Sequence, residues 1–359
     1  MTIREDDMKT FKIAGIVGTM IALAAPVQAE TFNFTIVAGH PPLTKGVAGI
    51  RDFFIPEVTK RLAADGKHTI NWTEAYAGSV ADYRGVLEAV ESGLGEFGYV
   101  PHLFEGDKLP LEQITYITPF GTSDLRKMLG VIEKLHEEIP AIGESWAKNN
   151  QMVLATVGID NYHFVTKEPV SGPDDLADRK IGTAGLAVNW LRGSNAVPIT
   201  GALPTFYNSM STGLIDGVMT FESAVAPYKF FEVAPYISKI GFGAKYGSAL
   251  TVNLDTWESL PDEVKATLKD VAKEYRARTA AAYFAAGEAS LEVAKANGAT
   301  VSEFTQEQRQ AFAAKMPNIA MEWAEKLDGQ GIPGTETLNA YMRLSKEAGI
   351  DFARDWSVK

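Results

Sequence analysis

One punctuated unit occurs twice in this chain and constrains its fold more than any other feature. Leu87–Gly93 reads as a helix closing on glycine, followed by the strand-like Leu94-Gly95-Glu96-Phe97-Gly98-Tyr99-Val100. Phe206–Gly213 does the same and runs into Leu214-Ile215-Asp216-Gly217-Val218-Met219. The first glycine of each unit suits the left-handed backbone that ends a helix, and the last lets a strand enter close packing. Two such units predict two lobes, each ending a strand at a shared cleft, with Tyr99 and Phe221 at its two mouths.

The surrounding pattern predicts α/β lobes of the parallel type. Phe32–Ala38 reads as a first strand that stops at Gly39-His40-Pro41-Pro42, Ile50–Leu62 as a helix, and Thr69–Trp72 as a second strand. Further on, a short strand at Arg179-Lys180-Ile181 leads through a helix to Ala196-Val197-Pro198-Ile199, then to a helix over Thr205–Thr212. Ser259-Leu260-Pro261-Asp262 opens a long helix, with Pro expected in its first turn. Val264, Leu268, Val271, Tyr275 and Tyr283 keep one apolar face out to Ala296, with Gly287 as a candidate bend. At 1.5 Å per residue it is about 50 Å long, enough to run across both lobes. Residues 302–359 read as helices packed outside the second lobe.

Lys9 and Lys12, the apolar run Ile13–Ala25 and the small residues Val27-Gln28-Ala29 fit an export signal cleaved after Ala29, with Met8 a possible start. That run is too short to cross a bilayer, which takes about 20 helical residues. Cleavage removes three acidic and three basic residues, so the net charge stays at −11. This argues against nucleic acid or an anionic membrane as a partner. Cysteine is absent, which excludes disulfides, thiol nucleophiles and cysteine-ligated metals.

No motif supports enzymatic chemistry. Gly93-Leu94-Gly95-Glu96-Phe97-Gly98 matches GxGxxG, but a phosphate-cradling loop follows a strand and opens a helix, and here the order is reversed. His136-Glu137-Glu138 reads as the solvated face of an amphipathic helix. No pair among the five histidines has metal-ligand spacing. No cofactor is implied, and an exported enzyme would need an acid–base pair or metal set that the sequence does not offer.

Residues 174–237, with Ala77-Gly78-Ser79, Leu111–Phe120 and Asp255-Thr256-Trp257-Glu258-Ser259-Leu260-Pro261, resemble the substrate-binding proteins of tripartite ATP-independent periplasmic (TRAP) transporters, of the dicarboxylate-binding type. The resemblance runs from about Phe32 to Glu274. It implies a two-lobed periplasmic binding protein fold braced by a long helix. Lobe 1 would span 30–155 with part of 247–285, and lobe 2 would span 156–246 with part of 286–359. It also implies a periplasmic receptor that delivers a small organic acid to one small and one large membrane subunit, without stable membrane insertion of its own. An ABC importer or a sensor kinase is the alternative partner. Where most of the family reads Lys-Ile-Arg, with the arginine gripping a substrate carboxylate, this chain reads Lys180-Ile181-Gly182.

Candidate ligand-binding residues are aromatic and polar groups at predicted strand ends: His40, Tyr76, Tyr99, Asn161, Tyr162, His163, Asn189, Trp190, Phe221 and Glu222. Three readings of the missing arginine stay open. Arg84 replaces it; or a bulky acid stacks on Tyr76, Tyr99, Trp190 or Phe221 in the space the glycine leaves; or a cationic or zwitterionic ligand sits on aromatic faces beside Glu222. Arg179 or Arg192 swinging in is a further possibility. An organic acid, with an aromatic monocarboxylate foremost, is the favoured ligand.

Overall fold

The computed structural model describes residues 30–66 and 68–357. The expected export signal lies outside them. The first lobe is built on a five-stranded sheet in the order β2-β1-β3-β10-β4, and the second on a six-stranded sheet in the order β11-β9-β5-β8-β6-β7. In the first sheet β1 (Glu30–Ala38) pairs in parallel with β2 (His68–Ala75) and β3 (Phe97–Val100), while β10 (Lys245–Asn253) runs antiparallel to β3 and β4 (Gln151–Ile159). In the second sheet β8 (Gly217–Phe221) is parallel to β6 (Lys180–Thr183) and antiparallel to β5 (Tyr162–Thr166). β7 (Val197–Thr200) and β9 (Tyr236–Lys239) extend it on either side, and β11 (Thr300–Glu303) closes its edge.

The duplicated unit has the same structural meaning in both lobes. β3 and β8 each lie between a parallel and an antiparallel neighbour, the kind of switch point where α/β sheets open a crevice at their strand ends. Gly93 and Gly213 end the preceding helices with φ of +74° and +76°. Gly98 and Gly217 are needed for close packing: a Cβ would lie 2.6 Å from Val90 Cγ2 in the first case and 2.4 Å from Thr166 Cγ2 in the second.

Strands cross between the lobes twice, from β4 to β5 through Asp160-Asn161 and from β9 to β10 through residues 240–244. The helix Asp262–Ala296 makes the third link, with Pro261 as its N-cap residue rather than within its first turn. It runs unbroken through Gly287, and that glycine serves contact: a Cβ there would lie 2.6 Å from Asp160 Oδ2 and 3.1 Å from Glu222 Oε2. The crossing strand can therefore lie directly against the helix.

Three further expectations change. The helix predicted at Ile50–Leu62 belongs to a longer one that passes through a π-helical turn at Ile50–Phe54, just before Pro56, which has no N–H to continue the regular ladder. The helix predicted after β6 is a 3₁₀ segment, Gly185–Leu191. The C-terminal region does not stay on the second lobe: β11 joins that lobe's sheet, but the helix Gly334–Glu347 packs on Leu125–Glu138 of the first. Trp356 Nε1 also donates to the Pro119 carbonyl, at 2.8 Å. Among the described residues no helix is long and apolar enough to cross a membrane.

Candidate functional site

The ends of β1, β3, β5 and β8 converge on a partly enclosed cavity of about 50 Å³ between the lobes. His40 and Tyr99 come from the first lobe, Tyr162 and Phe221 from β5 and β8, and Tyr283 from the long helix. Their rings pack in two runs, one from each side of the cavity. His40 meets Tyr99 edge-on at 6.2 Å, Tyr162 meets Phe221 at 5.4 Å, and Phe221 meets Tyr283 at 6.4 Å between centroids. Tyr99 reaches this position because Gly46 makes room: a Cβ on Gly46 would lie 2.4 Å from the tyrosine ring.

No Asp, Glu, Lys or Arg belongs to the described lining. Burial lowers the pKa of His40 to about 4, so its imidazole is neutral at physiological pH. The hydroxyl of Tyr99 faces Ser248 and Tyr283, and burial raises its pKa, so it too stays uncharged. Three polar atoms of the lining, His40 Nδ1 and Thr44 Oγ1 on the first lobe and Thr220 Oγ1 on the second, are buried without a hydrogen-bond partner. Leaving such groups unpaired costs roughly 1–3 kcal/mol each, so all three are ready to bond a solute.

Gly182 lies in β6 beside this wall, and the space it frees is already filled. A Cβ there would be 2.9 Å from Ile215 Cδ1 and 3.0 Å from Phe206 Cε1; one on Gly201 would be 2.6 Å from the same Phe206 carbon. Phe206, which lines the cavity, is thus seated on two glycines. The reading in which a ligand ring occupies the glycine's space gives way to a ring of the protein itself.

Of the predicted site residues, His40, Tyr99, Tyr162 and Phe221 are brought together at the cavity. Tyr76 is half-buried after β2 and does not line it. Arg84 is exposed, with its guanidinium 4.8 Å from the centroid of Phe104, a lining residue. Trp190 is fully buried in the second lobe, stacked 4.8 Å from Phe242 and donating to the Tyr116 carbonyl at 2.6 Å. Asn189 donates to the Leu186 carbonyl. Asn161 and His163 open onto a separate cavity on the crossing strands, and Glu222 bonds His163 at 2.7 Å and Lys239 at 3.5 Å. Arg179 is held by the carbonyls of Glu168 and Pro169, and Arg192 by Glu322. Thr220, Ser248, Tyr283 and Phe206 were not anticipated. Only Phe206 left a sequence signal, the glycines on two neighbouring segments that accommodate it.

The family model described as Bacterial extracellular solute-binding protein, family 7, matches residues 59–326. The chain belongs to that family. As a family 7 protein it is a solute-binding receptor that works outside the cytoplasm. The ectoine-binding periplasmic protein TeaA of Halomonas elongata is 24% identical over 336 residues, 90% of this chain and 94% of that protein. Among solved structures, a TRAP solute binding protein from Rhodoferax ferrireducens T118, in complex with copurified benzoate, matches with a TM-score of 0.77 at 17% identity, covering 88% of this chain and 98% of that one. DctP7, a Bordetella pertussis extracytoplasmic solute receptor binding pyroglutamic acid, matches with a TM-score of 0.72 at 21% identity, covering 86% and 99%. The two-lobed architecture expected from the sequence is the fold these family 7 relatives share.

Proposed function

We propose that this chain is the receptor of a TRAP transporter and that it takes a small, largely apolar organic acid with a single carboxylate, foremost an aromatic monocarboxylate, and hands it unchanged to a small and a large membrane subunit. The observation that carries the ligand class is the uncharged aromatic wall with its three unpaired polar atoms. A dicarboxylate brought into such a wall would lose the hydration of two charges with no cation in the lining to replace it. One carboxylate can be met by converging neutral donors, since hydrogen bonds to an ionised oxygen are roughly twice as strong as neutral ones. Arg84, one ring behind the wall across Phe104, supplies a cation at the rim. A solute with net positive charge fits less well: Glu222, the carboxylate expected to hold it, is engaged by His163 and Lys239 outside the cavity.

A cavity of about 50 Å³ does not admit a ring, so binding requires the lobes to part and close again. Thermal unfolding of the mature chain with benzoate, succinate and an amine tests the ligand class. A ligand at a hundred times its dissociation constant stabilises by ~2.7 kcal/mol, on the order of several degrees. Benzoate is expected to raise the melting temperature and succinate to leave it unchanged. A shift with succinate alone, or with the amine alone, overturns the reading.

Closure has its own check at Gly185. This second-lobe residue has φ of +54°, and a Cβ on it would lie 2.6 Å from the carbonyl oxygen of Leu103 in the first lobe. Gly185→Ala therefore penalises the closed arrangement. At the ~1–3 kcal/mol typical of overpacking, it is expected to weaken the ligand found above by about tenfold or more in calorimetric titration. Unchanged affinity would mean that the ligand is held without this contact.

A further inference from the structure

A second cavity, of about 370 Å³, opens on the two crossing strands, and its lining differs in kind from that of the first. It is polar. It takes Gly121 to Ser123 from the first lobe, Asn161 and His163 from one crossing, Gly241 from the other, and Lys239, Glu303 and Arg309 from the second lobe and the C-terminal region. Two cations and one carboxylate line it, and a second carboxylate, Glu222, backs it on Lys239 and His163.

Arg309 is the lining cation whose acceptors include no carboxylate. Its Nη2 donates to the Gly241 carbonyl at 3.1 Å and to the Phe120 carbonyl at 3.4 Å, and its Nη1 donates to Gln306 Oε1 at 3.2 Å. These acceptors are all neutral, and Nε is buried with no acceptor. Lys239, by contrast, has carboxylate partners in Glu303 at 3.3 Å and Glu222 at 3.5 Å. Asn161 spends its Oδ1 on the Gly243 N–H, at 2.8 Å, which leaves its Nδ2 to donate. Gly241 brings the two donors together: a Cβ built on it would lie 3.5 Å from Arg309 Nε and 3.7 Å from Asn161 Nδ2. His163 adds no charge, because its Nδ1 accepts from the Gly241 N–H at 3.1 Å and its Nε2 therefore donates to Glu222.

We propose that this hinge cavity is a second ligand site, taking one small anion through a carboxylate group. The Arg309 Nε–H and an amide N–H₂ converging on one point match the two oxygens of a carboxylate, and one negative charge balances the guanidinium that has no carboxylate partner. Glu303 opposes a multiply charged anion. The walls come from both lobes and from both crossings, so an anion seated there ties together the segments that must move when the lobes open.

Formate is the probe, titrated at constant ionic strength into the isotopically labelled mature chain and followed by two-dimensional NMR. Saturating shifts are expected at the Arg309 Nε–H, the Asn161 side-chain amide and the Gly241 backbone amide. Arg309→Gln is expected to weaken the affinity by about tenfold or more, as for loss of a hydrogen bond to a charged group. Lys239→Gln, which keeps a polar side chain at that position, is expected to weaken it as well. Absence of shifts at these groups, shifts centred instead on Tyr99 and Phe221, or an affinity unchanged in both variants would overturn the proposal.

Discussion

Replacing Gly182 by arginine is expected to lower the melting temperature of this receptor and to leave it without affinity for dicarboxylates. The family resemblance invites the opposite guess, since an arginine at this position implies a carboxylate grip. The packing decides against it. A Cβ at 182 would already press on Phe206 and Ile215, at 3.0 and 2.9 Å, before the rest of the side chain is placed. Overpacking of this kind costs about 1–3 kcal/mol, and a guanidinium left unpaired against an apolar wall adds several more. A loss of ~3–5 kcal/mol corresponds to roughly ten degrees for a chain of this size. Phe206→Ala in the same chain is expected to recover part of the loss, and only the double variant is expected to bind succinate. The coupling is read from a double-mutant cycle of melting temperatures and succinate titrations. Strict additivity would mean that Phe206 and position 182 do not share the space.

The second large effect is expected far from the cleft, at Glu112. This carboxylate is 1% exposed in the first lobe. It accepts from His136 Nε2 at 3.0 Å, from the Tyr246 hydroxyl at 3.3 Å and from Trp146 Nε1. Burial pushes the pKa of Glu112 up, but the charge and hydrogen bond of His136 outweigh it and hold the net value below 4.5. Burial likewise pushes His136 down, and Glu112 outweighs it to hold the net value above 6.5. Glu112→Ala leaves three donors, one of them cationic, buried without their acceptor. The expected loss is ~3–5 kcal/mol, visible as a lower midpoint in urea. The pH dependence follows from the two directions. Stability from the lowered carboxylate is present above its unfolded pKa of 4.5 and lost as pH falls through the folded value. Stability from the raised imidazole is present below its unfolded pKa of 6.5 and lost as pH rises through the folded value. The difference between wild type and variant is therefore expected to be largest between about pH 4.5 and 6.5. A difference that is flat across that range and beyond it would show that the pair is not ionised.

These two sites mark where the sequence was legible and where it was not. The glycine punctuation of β3 and β8 and the apolar stripe of the long helix were readable because they are local, fixed by backbone conformation and by a period of 3.6 residues. The side of each strand that faces the cleft was not readable. β3 and β8 are buried on both faces along their whole length, so alternation carries no sign. That is why Tyr99 and Phe221 could be placed at strand ends while Thr220, between them in function, was missed. Trp190 failed as a cleft residue because an aromatic in a turn packs wherever its neighbours leave room, here between Tyr116 and Phe242. His136 read as solvated because its own helix is amphipathic, and the carboxylate that draws it inward comes from a segment 24 residues earlier.

The place of β10 in the first sheet bears on when this protein can fold. β3 and β4 are not neighbours; β10 lies between them and pairs with both. A chain that emerges with its N-terminus leading has β1 to β4 available by residue 159, yet the strand that joins β3 to β4 does not exist until residue 253 has followed. Until then β3 and β4 are open edges of the kind that invite pairing with other chains, and closing them takes a contact distant in sequence and therefore slow to form. For a polypeptide threaded through a membrane, that delay is useful: the first lobe stays extensible while its last strand is still on the far side.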